Sequence, residues 1–241
     1  MFRCLKAEVQ KCRRSPVWLA FFILPVFPAI LGTGNYLANP EALENGWYSL
    51  WGQHTLFSSM FFLPALLSVF CAWQWRLEHT DHNWNSFLTA PAPVRDLYGA
   101  KLILAGAISL LAEGWIGALF LLSGKAAGLS GPVPPELPEW LLCGALGGVC
   151  VCAVQLFLSM VIRAFAPPVA FSLAGGILGL LMTAQGLGYA FPYSLLCIGM
   201  RANNPQMKLS ILPFLLSVLA YTIGFMLAAL RYLRRHDAAA E

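Results

Sequence analysis

"WRLEHTDHNWNSFLTAPAPVRDLYGAKL", Trp75 to Leu102, is the most polar long stretch in an oily chain. It sets His79 and His82 three apart among Glu78 and Asp81, then runs through an Asn-Trp-Asn step and two prolines to a basic end. Its surroundings decide what such a stretch can be. Of 241 residues, 59% are hydrophobic and 11% charged, and the mean hydropathy is +0.68. Soluble domains carry about 25% charge, so the solvent for most of this chain is lipid.

Outward from that stretch lie six apolar runs, each long enough at roughly 20 residues to cross a bilayer as a helix. They fall near Val17–Tyr36, Thr55–Trp75, Ala100–Leu122, Glu139–Ile162, Pro167–Gly186 and Leu209–Leu230. The fourth and fifth are separated only by Arg163 to Ala166, which predicts a tight helical hairpin. The first is too long for a signal-peptide core, carries Pro25 and Pro28, and lacks a small-residue cleavage site, so it reads as a retained span. The expected fold is an all-α integral membrane protein, a single transmembrane domain over 1–241.

The net charge of +4 matters less than where the charges fall. With the N-terminus inside, twelve basic residues are internal: Arg3, Lys6, Lys11, Arg13, Arg14, Arg76, Arg95, Lys101, Arg163, Arg231, Arg234 and Arg235. Only Lys125, Arg201 and Lys208 remain outside. Cytoplasmic loops concentrate Lys and Arg, so both termini and the loop 76–99 are expected in the cytoplasm.

Three segments between the spans have character of their own. In residues 1–15, Phe2, Leu5, Val9 and Cys12 recur at helical spacing opposite Lys6, Lys11, Arg13 and Arg14, which describes an amphipathic helix in the membrane interface. A loose basic tail is the plainer alternative. The outer "GLSGPVPPELPEW" is too rich in proline to be helical throughout. The segment 187–208 is too apolar for an ordinary loop, and its Ala190–Met200 is too short to span, so it reads as an outer re-entrant or interfacial helix.

Most catalytic chemistry has no footing here. On a helix, Glu78 and His79 would each share a face with His82, but H-T-D-H lacks the H-E-x-x-H spacing of zinc enzymes. His54 and His236 read as lying outside the spans, so no base for an intramembrane serine protease and no bis-histidine haem anchor is expected. "GKAAG" at Gly124 lacks the earlier glycine and the Ser/Thr of a phosphate loop. The seven cysteines, Cys150 and Cys152 included, read as small buried hydrophobes. No metal, cofactor or nucleic-acid partner is expected in this chain, and any ATP and Mg²⁺ would belong to another.

Two features remain. Glu113 lies within the third span, where a charge costs about 2.5–3.5 kcal/mol. It would line a translocation path or, as a carboxyl, hydrogen-bond a neighbouring helix such as the one carrying Gln155. Gly144/Gly148 and Gly175/Gly179 are G-x-x-x-G pairs that let helix backbones approach, within the chain or at a dimer seam.

With the loop read as cytoplasmic, a pattern becomes legible: Glu, polar residues, Trp-x-x-(Phe/Leu)-Leu-Thr-x-Pro, a basic residue, then Ala-Lys. Here these are Glu78, Trp84, Phe87, Leu88, Thr89, Pro91, Arg95, Ala100 and Lys101. Together with an interfacial helix and six spans, this resembles the ABC-2 type permeases, which have a type V exporter-like transmembrane domain. The wording "WRLEHTDHNWNSFLTAP" most resembles the permeases of lantibiotic immunity and bacitracin-type export. The resemblance implies a coupling helix that enters a groove on a separate ATP-hydrolysing subunit. Trp84, Phe87 and Leu88 would be its apolar anchor, with Pro91 and Arg95 beside it. Glu78 would salt-bridge Arg76 or Arg95 locally, or hold the docking helix at its working angle. The implied assembly is two permeases, identical or sibling, on two ATPases in membrane lipid, exporting an amphipathic peptide antibiotic. Export of a lipid, a polysaccharide precursor or another drug is the alternative, and a non-transporting membrane anchor is the reading from another class.

Overall fold

The computed structural model describes residues 1–13, 15–80 and 91–236. Those residues form helices and connections, with no strand among them. In chain order the helices are α1 (Phe2–Cys12), α2 (Val17–Ala38), α3 (Trp47–His79), α4 (Val94–Ala126), α5 (Leu137–Val161), α6 (Ala166–Ala184), α7 (Pro192–Gly199) and α8 (Ile211–His236). Six of these, α2 to α6 and α8, are long and apolar enough to cross a membrane.

Proline sets the irregularities. Pro25 divides α2 into Val17–Ile23 and Val26–Ala38, because it has no N–H for the preceding turn. Pro64 does the same in α3, where the turn Ser58–Phe62 widens to a π-helix. The Met60 carbonyl, which Pro64 cannot satisfy, faces Gly176 of α6 so closely that a Cβ there would lie 2.3 Å from it. Ser172 donates to the Pro64 carbonyl at 2.7 Å, so the distortion becomes the α3–α6 contact.

α3 and α4, at 33 residues each, outrun the roughly 20 that a bilayer needs. α3 begins at Trp47, well before Thr55, since Trp47, Leu50 and Trp51 bury their rings and side chains against the neighbouring helices. His54 therefore lies inside a membrane-length helix, contrary to its expected place outside. It is buried, with Thr33 Oγ1 of α2 at 2.9 Å and Ser123 Oγ of α4 at 3.2 Å from its Nε2. That correction does not restore a protease or a haem anchor, because the imidazole is committed to two hydroxyls that tie three helices together.

α5 is the centre of the bundle, packed by α3, α4, α7 and α8. The hairpin expected of α5 and α6 is short in its turn, but its legs touch little, and α6 packs on α3 and α7 instead. α7 is buried between them: Leu195, Leu196 and Cys197 are fully enclosed. The glycine pairs are consumed within the chain. Gly175 and Gly179 admit Tyr193 of α7, Gly148 admits Ser109 of α4, and Gly144 lies against Glu113 and Met200. α8 buries only a thin stripe, with Phe214, Val218, Ala229 and Leu233 inward and Leu212, Leu216, Leu219 and Leu227 outward.

Candidate functional site

Chemistry gathers where α1 meets the ends of α3 and α4, at the root of the quoted stretch. Glu8 and Lys11 are one turn apart on α1 and pair at 2.8 Å. Glu78 occupies the last turn of α3, and Lys101 the third turn of α4. Lys101 is fully buried, and its ammonium donates to Glu8 Oε2 at 3.0 Å, Glu78 Oε1 at 2.9 Å and the Gln74 carbonyl at 3.2 Å. Lys11 closes the ring by donating to Glu78 at 2.5 Å. The Lys101 ammonium also lies 5.1 Å from the centre of the Trp75 ring, which supplies a cation–π contact.

Among the described residues, two carboxylates meet two ammoniums in this cluster, so its burial is tolerable as a unit. Removing one member is not, since an uncompensated buried charge costs about 3–5 kcal/mol. Burial alone would lower the Lys11 pKa, but the hydrogen bonds it donates to Glu78 and Glu8 outweigh that and hold the pKa above the ordinary lysine value. The start of α1 is fixed as well: Asp96, in the first turn of α4, accepts the Met1 ammonium at 2.5 Å. α1 is thus fastened along its length to α4 and α3, the two helices that enclose the loop.

This arrangement revises the reading of α1 and sharpens that of Glu78. The face of α1 toward the protein carries Glu8, Lys11 and Cys12, while Phe2 and Val9 of the apolar stripe point outward. Glu78 pairs with Lys11 and Lys101, and with neither Arg76 nor Arg95. Pro91 is exposed, and Arg95, also exposed, lies 3.6 Å from Asp96. Trp84, Phe87 and Leu88 lie outside the described residues, as do Asp81 and His82. His79 donates its Nε2–H to the Ser159 carbonyl at 3.3 Å and stacks near Trp75.

Deeper in the bundle, Glu113 and Gln155 both face α5 or lie on it without meeting. Gln155 accepts from Ser68 at 2.8 Å and donates to Tyr193, linking α3, α5 and α7. Glu113 packs on Gly144, about three turns away along α5, and both its oxygens are buried without a hydrogen-bond partner among the described residues. The Glu8–Lys11–Glu78–Lys101 cluster is what the sequence reading missed. Its one local signal was a lysine and a glutamate set at the polar ends of apolar helices.

Six membrane-length helices, with α5 enclosed among them and a charged cluster at one end, define a multi-pass membrane protein. Residues 4–179 match the model of the ABC-2 family transporter proteins, and the chain belongs to that family. The match runs from α1 into α6 and includes every residue of the charged cluster. No curated protein and no solved structure matches the chain. Membership makes this chain the membrane-spanning component of an ABC transporter, and it implies an ABC ATPase as partner.

Proposed function

We propose that this chain is the permease of an ABC exporter that clears an amphipathic peptide antibiotic of the lantibiotic type from a bacterial plasma membrane. Two permease subunits, identical or sibling, sit on two ATPases, with both termini and the loop 76–99 in the cytoplasm. The loop is the coupling element. Trp84, with Phe87 and Leu88 three and four residues on, is an apolar anchor of the size that fills a groove on an ATPase.

The observation that carries the reading is the cluster at the loop's root. A loop that transmits force must be fixed to something stiff. Glu78 enters it and Lys101 leaves it, and both are held to α1 by ion pairs, that of Lys101 to Glu8 buried and that of Glu78 to Lys11 partly so. Glu78 acts in this scheme as a positioning residue, not as a contact for the ATPase. The substrate class rests on the wording of the loop, and the orientation on twelve basic residues against three.

Affinity purification of the tagged chain in mild detergent tests the proposal. The wild type should retain an ABC ATPase. Trp84→Ala should weaken that association about thirtyfold while the permease still inserts, since truncating an interface tryptophan commonly costs about 2 kcal/mol. Recovery of the wild-type chain with no ATPase would overturn the exporter reading in favour of a membrane anchor.

A further inference from the structure

A cavity of about 930 Å³ opens beside the charged cluster, at the elbow between α1 and α2. One wall is polar and basic, with Gln10, Lys11, Arg13 and Ser15; the other is Trp73 and Leu77 of α3. Two hydrogen bonds tie described residues on either side of the elbow. Trp18 donates its indole N–H to the Cys12 carbonyl at 2.8 Å, and Ser15 Oγ accepts the Val17 N–H at 3.2 Å, which leaves the Ser15 hydroxyl able to donate outward.

The charges on this cavity are unbalanced. Lys11 is neutralised inside the cluster, where two acids meet two bases. Arg13 is exposed, and no acidic side chain among the described residues pairs with it. Arg76, also exposed, lies one turn from Trp73 on α3 and adds to the same positive field. A complementary occupant has a negative head for Arg13, acceptor oxygens for Ser15 and Gln10, and an apolar body for Trp73 and Leu77. The apolar wall belongs to a membrane-length helix near its end, and the basic wall to a helix whose Phe2 and Val9 point outward toward lipid.

We infer that this cavity binds the headgroup of an anionic phospholipid, its phosphate at Arg13 and one acyl chain descending along Trp73 and Leu77. Lys11 lines the cavity and also pairs with Glu8 and Glu78, so the lipid touches a member of the charged cluster. Its occupancy therefore stiffens the fastening of α1, and the docked state depends on acidic lipid in the leaflet that α1 occupies. This inference rests on the membrane setting and not on the ATPase, so either can fail alone.

The test uses the full chain purified in detergent, with its melting temperature followed as phosphatidylglycerol or phosphatidylcholine is added. Phosphatidylglycerol should raise the melting temperature saturably and phosphatidylcholine should not. An interfacial basic residue is worth about fivefold in anionic-lipid affinity, so Arg13→Ala should raise the half-saturating concentration about fivefold and Arg13→Glu about thirtyfold. Arg163→Glu, an exposed basic residue on the α5–α6 connection, should leave it unchanged. Equal stabilisation by both lipids, or an unchanged curve in Arg13→Glu, would overturn the inference. So would full stabilisation by soluble glycerol phosphate, which would make the site one for a free phosphate ester.

Discussion

Two buried acidic sites in this molecule could hardly be treated more differently. At the α1 end, Glu8 and Glu78 are each met by both Lys11 and Lys101, and every charge has its opposite within 3.0 Å. In the bundle, Glu113 is buried completely and neither oxygen has a partner among the described residues. The first arrangement resists change, because moving any helix exposes an unpaired charge in a poorly polarisable place. The second gives up stability in the present conformation and would gain from one that offers it a donor. In a transporter that must switch between states, the paired cluster is suited to transmit movement as a rigid body. The unpaired carboxyl is suited to favour leaving the state it is in.

The strongest way to break this contrast is Lys101→Met. It leaves Glu8 and Glu78 sharing one cation, at a cost of about 3–5 kcal/mol, and should sharply reduce the folded fraction seen by size exclusion in detergent. Adding Glu8→Gln restores neutrality between Lys11 and Glu78, so the double variant should recover most of the loss. A fold indifferent to Lys101→Met would show that the cluster fastens nothing.

Glu113→Met should act in the opposite direction. It removes a buried group with no hydrogen bond and should stabilise the chain by about 1–3 kcal/mol in thermal melting. Transport should nonetheless fall, read as weaker protection of cells at equal amounts of assembled protein. Glu113→Gln separates the need for a hydrogen bond from the need for a charge. A destabilised Glu113→Met would mean that the carboxyl has a partner here after all.

The contrast also explains what the sequence could and could not disclose. The six spans were legible because an apolar run near 20 residues has few other uses. The true ends of α3 and α4 were not, since Trp47 to His54 and Val94 to Lys101 mix polar and apolar residues and are decided by packing. Glu113 was conspicuous as a carboxylate among aliphatics, though the Gly144 surface it meets was not. The cluster stayed hidden because Lys11 and Glu78 are 67 residues apart, and pairing across such a distance leaves no local pattern. In α1 itself Lys11 stands opposite the apolar stripe, and nothing local shows that it and Glu8 meet Glu78 and Lys101. Trp84, the proposed docking anchor, was identified by family resemblance and lies outside the described residues.

The smallest effect is expected from the histidines of the opening stretch. His79→Ala with His82→Ala removes the hydrogen bond from His79 to the Ser159 carbonyl, a bond of a kind worth about 1 kcal/mol, and should leave protection close to wild type. Loss of protection in this double variant, with Trp84→Ala still active, would point to a metal at the loop and away from docking.

The most direct measurement replaces Trp84 with a photo-crosslinking amino acid in the full chain and irradiates intact membranes that contain the partner ATPase. The predicted result is a covalent adduct of this permease with the ABC ATPase, formed on the cytoplasmic side and lost when the ATPase is absent. An adduct formed only with components outside the cell, or none at all while the permease is folded and abundant, would contradict the claim that this loop is the point of coupling.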